Sequence, residues 1–334
     1  MPPEPSTEGE PSPEALAEGV IAGDRAAISR ALNWVDDSRP SRREQALRLL
    51  DALEGRGRGT RIGVTGAPGA GKSTLLDALV ARLRADGRSV GILAVDPSSQ
   101  RSGGALLGDR MRLGAGARDA GVFLRSLAAR DRLGGLSEVT GPSLDVLVAA
   151  FDAVFVETVG VGQSESEVID LVDSLVFVAQ PAAGDLIQFM KAGILEWPDV
   201  FFVNKADLGD AAERTVGELQ AGLELGDRRD PSRPPPVLSG SAREGSGIDA
   251  LVEALDAHRR HLEQTSNLDA RRQAGRLARV RTALATRYGR FGLERLEGEL
   301  AIEAFCEAHP RASVLRIVDE LGRAIERRLG PGGG

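Results

Sequence analysis

The chain has 334 residues, of which 42% are apolar and 27% charged, enough to bury the core of about two domains and stay in solution. A formal charge of −7 disfavours a general nucleic-acid or anionic-membrane binder, and the single cysteine, Cys306, excludes internal disulfides and multi-cysteine metal sites. No apolar run approaches the roughly 20 residues that span a bilayer, and the acidic, proline-rich start lacks a signal-peptide pattern, so a reducing cytoplasm is expected. Only three of the 42 basic side chains are lysine: Lys72, Lys191 and Lys205. In a chain that uses arginine wherever bulk positive charge suffices, these either survived by drift or mark positions where a compact ammonium is needed, and their addresses decide.

Residues 1–13 hold five prolines and no apolar periodicity, and are expected to be disordered. Residues 14–58 read as a helical extension, on the spacing of Leu16, Val20 and Ile21, then Ile28, Leu32 and Val35, then Leu47, Leu50 and Leu53. A glycine–arginine hinge over 55–59 closes it. From 59 to 264 short apolar runs at 62–65, 90–95, 122–124, 153–157, 174–179, 200–203 and 237–239 alternate with helical stretches, the pattern of a mostly parallel sheet covered on both faces. Functional loops then lie at the carboxyl ends of the strands. Residues 248–264 form an amphipathic helix. Residues 265–329 carry helices without strands, marked by Leu277, Val280 and Leu284 and later by Val314, Val318, Leu321 and Ile325, and 330–334 form a floppy tail.

Gly66-Ala67-Pro68-Gly69-Ala70-Gly71-Lys72-Ser73 fits G-x-x-x-x-G-K-S, after a strand and before a helix, which is the context a phosphate loop requires. Its glycines let backbone N–H groups converge on phosphate oxygens, Lys72 reaches the β- and γ-phosphates, and the Ser73 hydroxyl ligates Mg²⁺, with Thr74 opening the helix. About 130 residues on, Asn204-Lys205-Ala206-Asp207 ends a strand. A carboxylate there accepts two hydrogen bonds from guanine N1–H and N2–H₂, while adenine offers no such pair. Ser241-Ala242, after the last strand, fits the loop that backs the base. Two more strands end on acids, Asp96 and Glu157, and Asp109 lies in a glycine-flanked stretch. Such carboxylates beside a phosphate loop suit Mg²⁺. Gly160, three residues after Glu157, offers an N–H that senses the γ-phosphate. The expected fold class is thus α/β, a P-loop NTPase G domain with a mostly parallel central sheet and helical extensions at both ends.

The phosphate loop, the run AVDPSSQRSGGALLGDRMR, the stretches LGGLS and VETVGVGQSE and the NKAD motif together resemble the MeaB/ArgK/MMAA family of GTPases, over roughly residues 14–262. That resemblance implies a GTPase chaperone, homodimeric through a C-terminal arm, which docks on an adenosylcobalamin-dependent acyl-CoA mutase. It gates cofactor delivery, in concert with a cobalamin adenosyltransferase, and binds GTP or GDP with Mg²⁺ but not cobalamin. It also implies that Asp96, Asp109 and Glu157 are magnesium-site and switch acids and that Asn204, Lys205 and Asp207 read guanine. The resemblance further implies that Asp185 and Lys191, in QPAAGDLIQFMK, are a pair that reorients, with Lys191 moving toward the phosphates.

Departures from the family pattern are Arg130-Asp131 in a switch loop and, beyond 265, a basic helix without tryptophan. Val161 replaces the glutamine that orients water in some GTPases, so intrinsic hydrolysis is expected to be slow and partner-stimulated. The Asp256-to-His261 run lacks the glycine of a cobalamin-ligating motif and reads as a solvated helical surface. Arg271, Arg272, Arg276, Arg279 and Arg281 read as the solvated face of an arm that buries Leu277, Val280 and Leu284. A nickel-inserting metallochaperone and a small-molecule kinase are the alternatives. Three scattered histidines argue against the first and the guanine motif against the second.

Overall fold

The computed structural model describes residues 10–37, 39–96, 119–128, 136, 138–158, 160, 167–181, 194–225, 229–296 and 299–329. Three helices open the chain: α1 (Pro13–Ile21), α2 (Arg25–Asp36) and α3 (Pro40–Leu53). Ser12 and Asp24 cap α1 and α2 by accepting from first-turn N–H groups, and proline at the first turn starts α1 and α3.

Among the described residues seven strands follow: β1 (Thr60–Thr65), β2 (Val90–Asp96), β3 (Val122–Ala128), β4 (Ala153–Glu157), β5 (Ser174–Ala179), β6 (Val200–Val203) and β7 (Val237–Ser239). They form one sheet in the order β3-β2-β4-β1-β5-β6-β7, and every pair is parallel. The covering helices are α4 (Lys72–Ala85), α5 (Thr140–Ala150), α6 (Asp210–Leu225) and α7 (Ile248–Gln264), and the chain continues through α8 (Asn267–Glu294), α9 (Glu299–Ala308) and α10 (Val314–Leu329). Among the described residues no helix is long and apolar enough to cross a membrane.

Alternate residues of each strand feed different cores, so both faces are apolar. Ile62, Val64, Phe155 and Phe202 pack with α4 and α7, while Leu93, Val154, Val156 and Leu175 pack with α5 and with Leu16, Ile28, Leu32 and Leu50 of α1–α3. The N-terminal helices therefore share one core with the sheet. α8–α10 enclose a separate cluster around Val280, Leu284, Ile317, Leu321 and Ile325.

Several readings of the sequence change. β3 runs four residues beyond 124, through polar Arg125 and Ser126. It is an edge strand, and Arg125 turns to Asn33 and Asp36 on α2. The expected hinge at 55–59 is tied down: Arg58 and Gly59 both donate to the Val148 carbonyl, and a Cβ on Gly59 would lie 2.5 Å from the Phe151 carbonyl. The arginine face of α8 is not solvated. Arg271 donates to Asp199 (2.8 Å), Arg272 grips both oxygens of Asp173 (2.8 Å each), Arg279 pairs with Asp145 (3.4 Å), and Arg276 caps the carbonyls of His309, Pro310 and Ala312. Leu277 is partly buried, and Val280 and Leu284 fully buried, on the opposite side, so α8 is used on two faces.

Candidate nucleotide site

β1 ends at Thr65 in the middle of the sheet, between β4 and β5, where the order of strands reverses. A ligand crevice forms outside the carboxyl ends of strands at such a point. The loop that leaves β1 is held in shape by glycine. Gly66 (φ 136°), Gly69 (φ 82°) and Gly71 (φ 91°) occupy left-handed backbone, and a Cβ on Gly66 would collide with the Val178 carbonyl of β5. α4 then starts at Lys72 with no side-chain cap, so the positive end of its dipole points into the loop.

Lys72 is 7% exposed, and its ammonium donates to the carbonyls of Gly66 (2.7 Å) and Ala67 (3.1 Å). Ser73 Oγ donates to Glu157 Oε1 at 2.8 Å, which places one hydroxyl and one carboxylate side by side at the loop. Register explains the meeting: Glu157 lies opposite Val64 on the adjacent strand β1, just before the loop. Thr158 follows, its N–H on the Val64 carbonyl and its hydroxyl on Thr65 Oγ1, both at 3.1 Å. This pins the backbone so that Gly160 (φ 87°) presses on the loop, where a Cβ would meet the Gly66 carbonyl and come within 2.6 Å of Lys72 Nζ.

The second motif lies beside the first. An open pocket is lined by Gly71, Thr74, Asn204, Lys205, Asp207, Ser241, Ala242 and Arg243. Asn204 is 2% exposed and both ends of its amide are engaged: Nδ2 donates to the Ala70 carbonyl (2.9 Å), and Oδ1 accepts from Ala242 N–H (3.0 Å). It lines the pocket and at the same time braces the two loops. Lys205 has left-handed backbone (φ 60°), and its ammonium donates to the Gly69 carbonyl (2.8 Å) and Gln180 Oε1 (2.9 Å). Asp207 is exposed at the pocket mouth, as are Pro68, Gly69 and Thr74 along the loop, whereas Ala70, Ser241 and Ala242 are buried.

The structure thus gathers Gly66, Pro68, Gly69, Ala70, Gly71, Lys72, Ser73, Thr74, Glu157 and Gly160 at one end of the sheet, with Asn204, Lys205, Asp207, Ser241 and Ala242 beside them. Asp96 ends β2, next to β4, and nothing is described of its side chain. Asp109, Asp185, Lys191, Val161 and Arg130-Asp131 lie outside the described residues. Sequence reasoning missed Thr158, Gln180 and Arg243; their one signal is position, each lying just past a strand end or in the loop of a recognised motif.

A seven-stranded parallel sheet with this loop at its reversal point defines a P-loop NTPase. Residues 28–288 match the family model described as methylmalonyl Co-A mutase-associated GTPase MeaB. A Mycobacterium tuberculosis (strain H37Rv) protein named as a probable GTPase is 42% identical over 264 residues, 78% of this chain and 79% of that one. GTPase ArgK of Escherichia coli K12 is 36% identical over 77% of this chain and 80% of its own length. A mouse protein named methylmalonic aciduria type A homolog, mitochondrial, is 34% identical over 78% and 66%. Among solved structures, one titled LAO/AO transport system kinase superposes with a TM-score of 0.69 at 26% identity, over 96% of this chain and all of that one. The chain belongs to the MeaB family of methylmalonyl-CoA mutase-associated GTPases.

Proposed function

We propose that this chain is a GTPase chaperone that couples GTP binding and hydrolysis to the loading and protection of an adenosylcobalamin-dependent acyl-CoA mutase. The observation that carries the reading is the Lys72–Ser73–Glu157 cluster standing next to the Asn204–Lys205–Asp207 pocket, in a family named for its association with such a mutase.

In this reading the N–H groups from Gly66 to Thr74 cradle the phosphates, and Lys72 exchanges the Gly66 and Ala67 carbonyls for phosphate oxygens. Asp207 pairs with guanine along the Lys205 stem, while Asn204 holds Ala70 and Ala242 in place. The Ser73–Glu157 pair fits a hard divalent cation, because a hydroxyl and a carboxylate oxygen 2.8 Å apart converge at the mouth of the loop. Ser73 and Glu157, with Asp96 at the end of β2 and with Asp109, would hold Mg²⁺, which when bound would neutralise charge on the phosphates. Gly160 N–H reports the γ-phosphate, and Asp185 and Lys191 reorient as hydrolysis proceeds. Slow intrinsic turnover, stimulation by the mutase, contact with a cobalamin adenosyltransferase, a homodimer through α8–α10 and a cytoplasmic setting belong to the same proposal.

Two measurements test it. Competition binding should favour GDP over ADP by at least about a hundredfold, since a bound adenine leaves the Asp207 carboxylate unpaired; equal affinity returns the kinase reading. Affinity capture with a GTP analogue from native extract should recover an acyl-CoA mutase that binds adenosylcobalamin. Recovery of neither that mutase nor an adenosyltransferase overturns the chaperone role.

A further inference from the structure

Lys205 carries more than the wall of a base pocket. Its ammonium joins three segments that are far apart in sequence: the loop after β1, through the Gly69 carbonyl (2.8 Å), the end of β5, through Gln180 Oε1 (2.9 Å), and its own β6–β7 connection. The backbone at Lys205 is left-handed (φ 60°), a conformation that costs a non-glycine residue about 1 kcal/mol and persists only when its surroundings impose it. A lysine side chain has four rotatable bonds and up to about 2 kcal/mol of rotamer entropy to lose. One carbonyl fixes the ammonium at a single point. A second acceptor on the far side fixes the direction of the stem as well.

Gln180 supplies that acceptor. It is the first residue after β5, whose six residues are all buried, and it is half-buried where the strand emerges. An amide oxygen facing an ammonium gives a charge-assisted bond, about twice as strong as a neutral one.

We infer that Gln180 is a positioning residue of the base site: by holding Lys205 against the phosphate loop it fixes the surface on which a purine lies, and it makes the end of β5 sensitive to whether that surface is occupied. This rests on the guanine-site reading above. The effect passes through Lys205, so Gln180 contributes only while Lys205 is present.

A double-mutant cycle on the full chain tests this, read by equilibrium titration with the fluorescent probe N-methylanthraniloyl-GDP. Gln180→Ala should weaken binding about tenfold, the size of one charge-assisted hydrogen bond. Lys205→Ala should weaken it at least as much. The double variant should bind within about twofold of Lys205→Ala alone, because the glutamine then has nothing to hold. Gln180→Glu, which keeps an acceptor for the ammonium, should stay within about threefold of the parent, whereas Gln180→Met should behave like Gln180→Ala and replaces it in the cycle if the alanine variant does not fold. Losses that add across the cycle, or no loss in Gln180→Ala and Gln180→Met, overturn the inference. The parent's own preference for GDP over ADP is a separate readout: if that preference is absent the guanine reading fails, and if it is present with an additive cycle only the role of Gln180 fails.

Discussion

At Gly160 there is space for a hydrogen and nothing larger. A Cβ would meet both the Gly66 carbonyl and the Lys72 ammonium, on a backbone with φ of 87°. Gly160→Ala should therefore push the segment after Glu157 off the phosphate loop. We expect single-turnover GTP hydrolysis to fall at least about a hundredfold, the scale for losing one preorganised donor, with a smaller loss in GDP affinity. A rate within a few-fold of the parent would remove Gly160 from the site. His258 lies at the other end of the strands, 1% exposed, with Ser174 Oγ 2.7 Å from Nδ1 and Asp199 3.3 Å from Nε2. Burial pushes its imidazole down to about 4; Asp199 pulls the other way, and Arg271, Arg233 and Arg229 reinforce the depression. The sign follows: above pH 6.5 neither folded nor unfolded chain protonates it, and between 6.5 and 4 only the unfolded chain does. Urea-unfolding stability should thus drop by up to about 3 kcal/mol across that interval, and His258→Asn should flatten the slope. The Asp256–His261 run had read as a wholly solvated surface. His258 is instead buried, because α7 presents it to Ser174 at the start of β5 and to Asp199 just before β6, 84 and 59 residues earlier.

Between elements, buried ion pairs tie α8 to the amino ends of the strands. The Asp173 side chain, which precedes β5, is fully buried and held by Arg272 and by the Arg61 N–H. Arg272→Ala leaves that carboxylate without its counter-charge, which for a buried pair costs about 3–5 kcal/mol. Adding Asp173→Asn should recover part of the loss, since the carboxylate charge that lost its partner is then gone. Equal unfolding midpoints for parent and Arg272→Ala would show the pair to be ornamental to stability. The strands, the phosphate loop and the base motif were legible because each declares itself within a dozen residues, by apolar runs or fixed spacing. The arginine ties were not. Arg271 and Asp199 are 72 residues apart and Arg272 and Asp173 are 99, and an arginine on an amphipathic helix reads the same whether it meets water or a buried acid. Asn204 was legible as a motif member but not as a brace, because its two partners, Ala70 and Ala242, contribute only backbone atoms.

For the whole molecule, the two poles of the sheet hold different chemistry. Loops, glycines and the base pocket occupy the carboxyl pole, and buried ion pairs that fasten α8 occupy the other. Beyond the fastening, α8–α10 share their own core, α10 is tied to α3 by Arg316 on Asp51, and Phe291 (60% exposed) and Leu329 (41%) lie near the ends of α8 and α10. If these cover the proposed twofold contact, Phe291→Asp with Leu329→Asp should give a monomer by light scattering. The phosphate loop is far from both residues in the chain, so GDP should still bind. A variant that stays dimeric places the contact elsewhere on the arm.

Strand β6 is only four residues long and wholly buried, with Asp199 immediately before it and Asn204 immediately after. At about 3.3 Å per residue, less than 20 Å separates the acid that anchors α8 from the amide that braces the base pocket. No loop intervenes to absorb a displacement. A strand this short behaves as a stiff spacer, so its two ends cannot loosen independently. Filling the pocket should then slow amide hydrogen exchange in the first turns of α8, around Arg271 and Arg272, although no nucleotide atom would come near them.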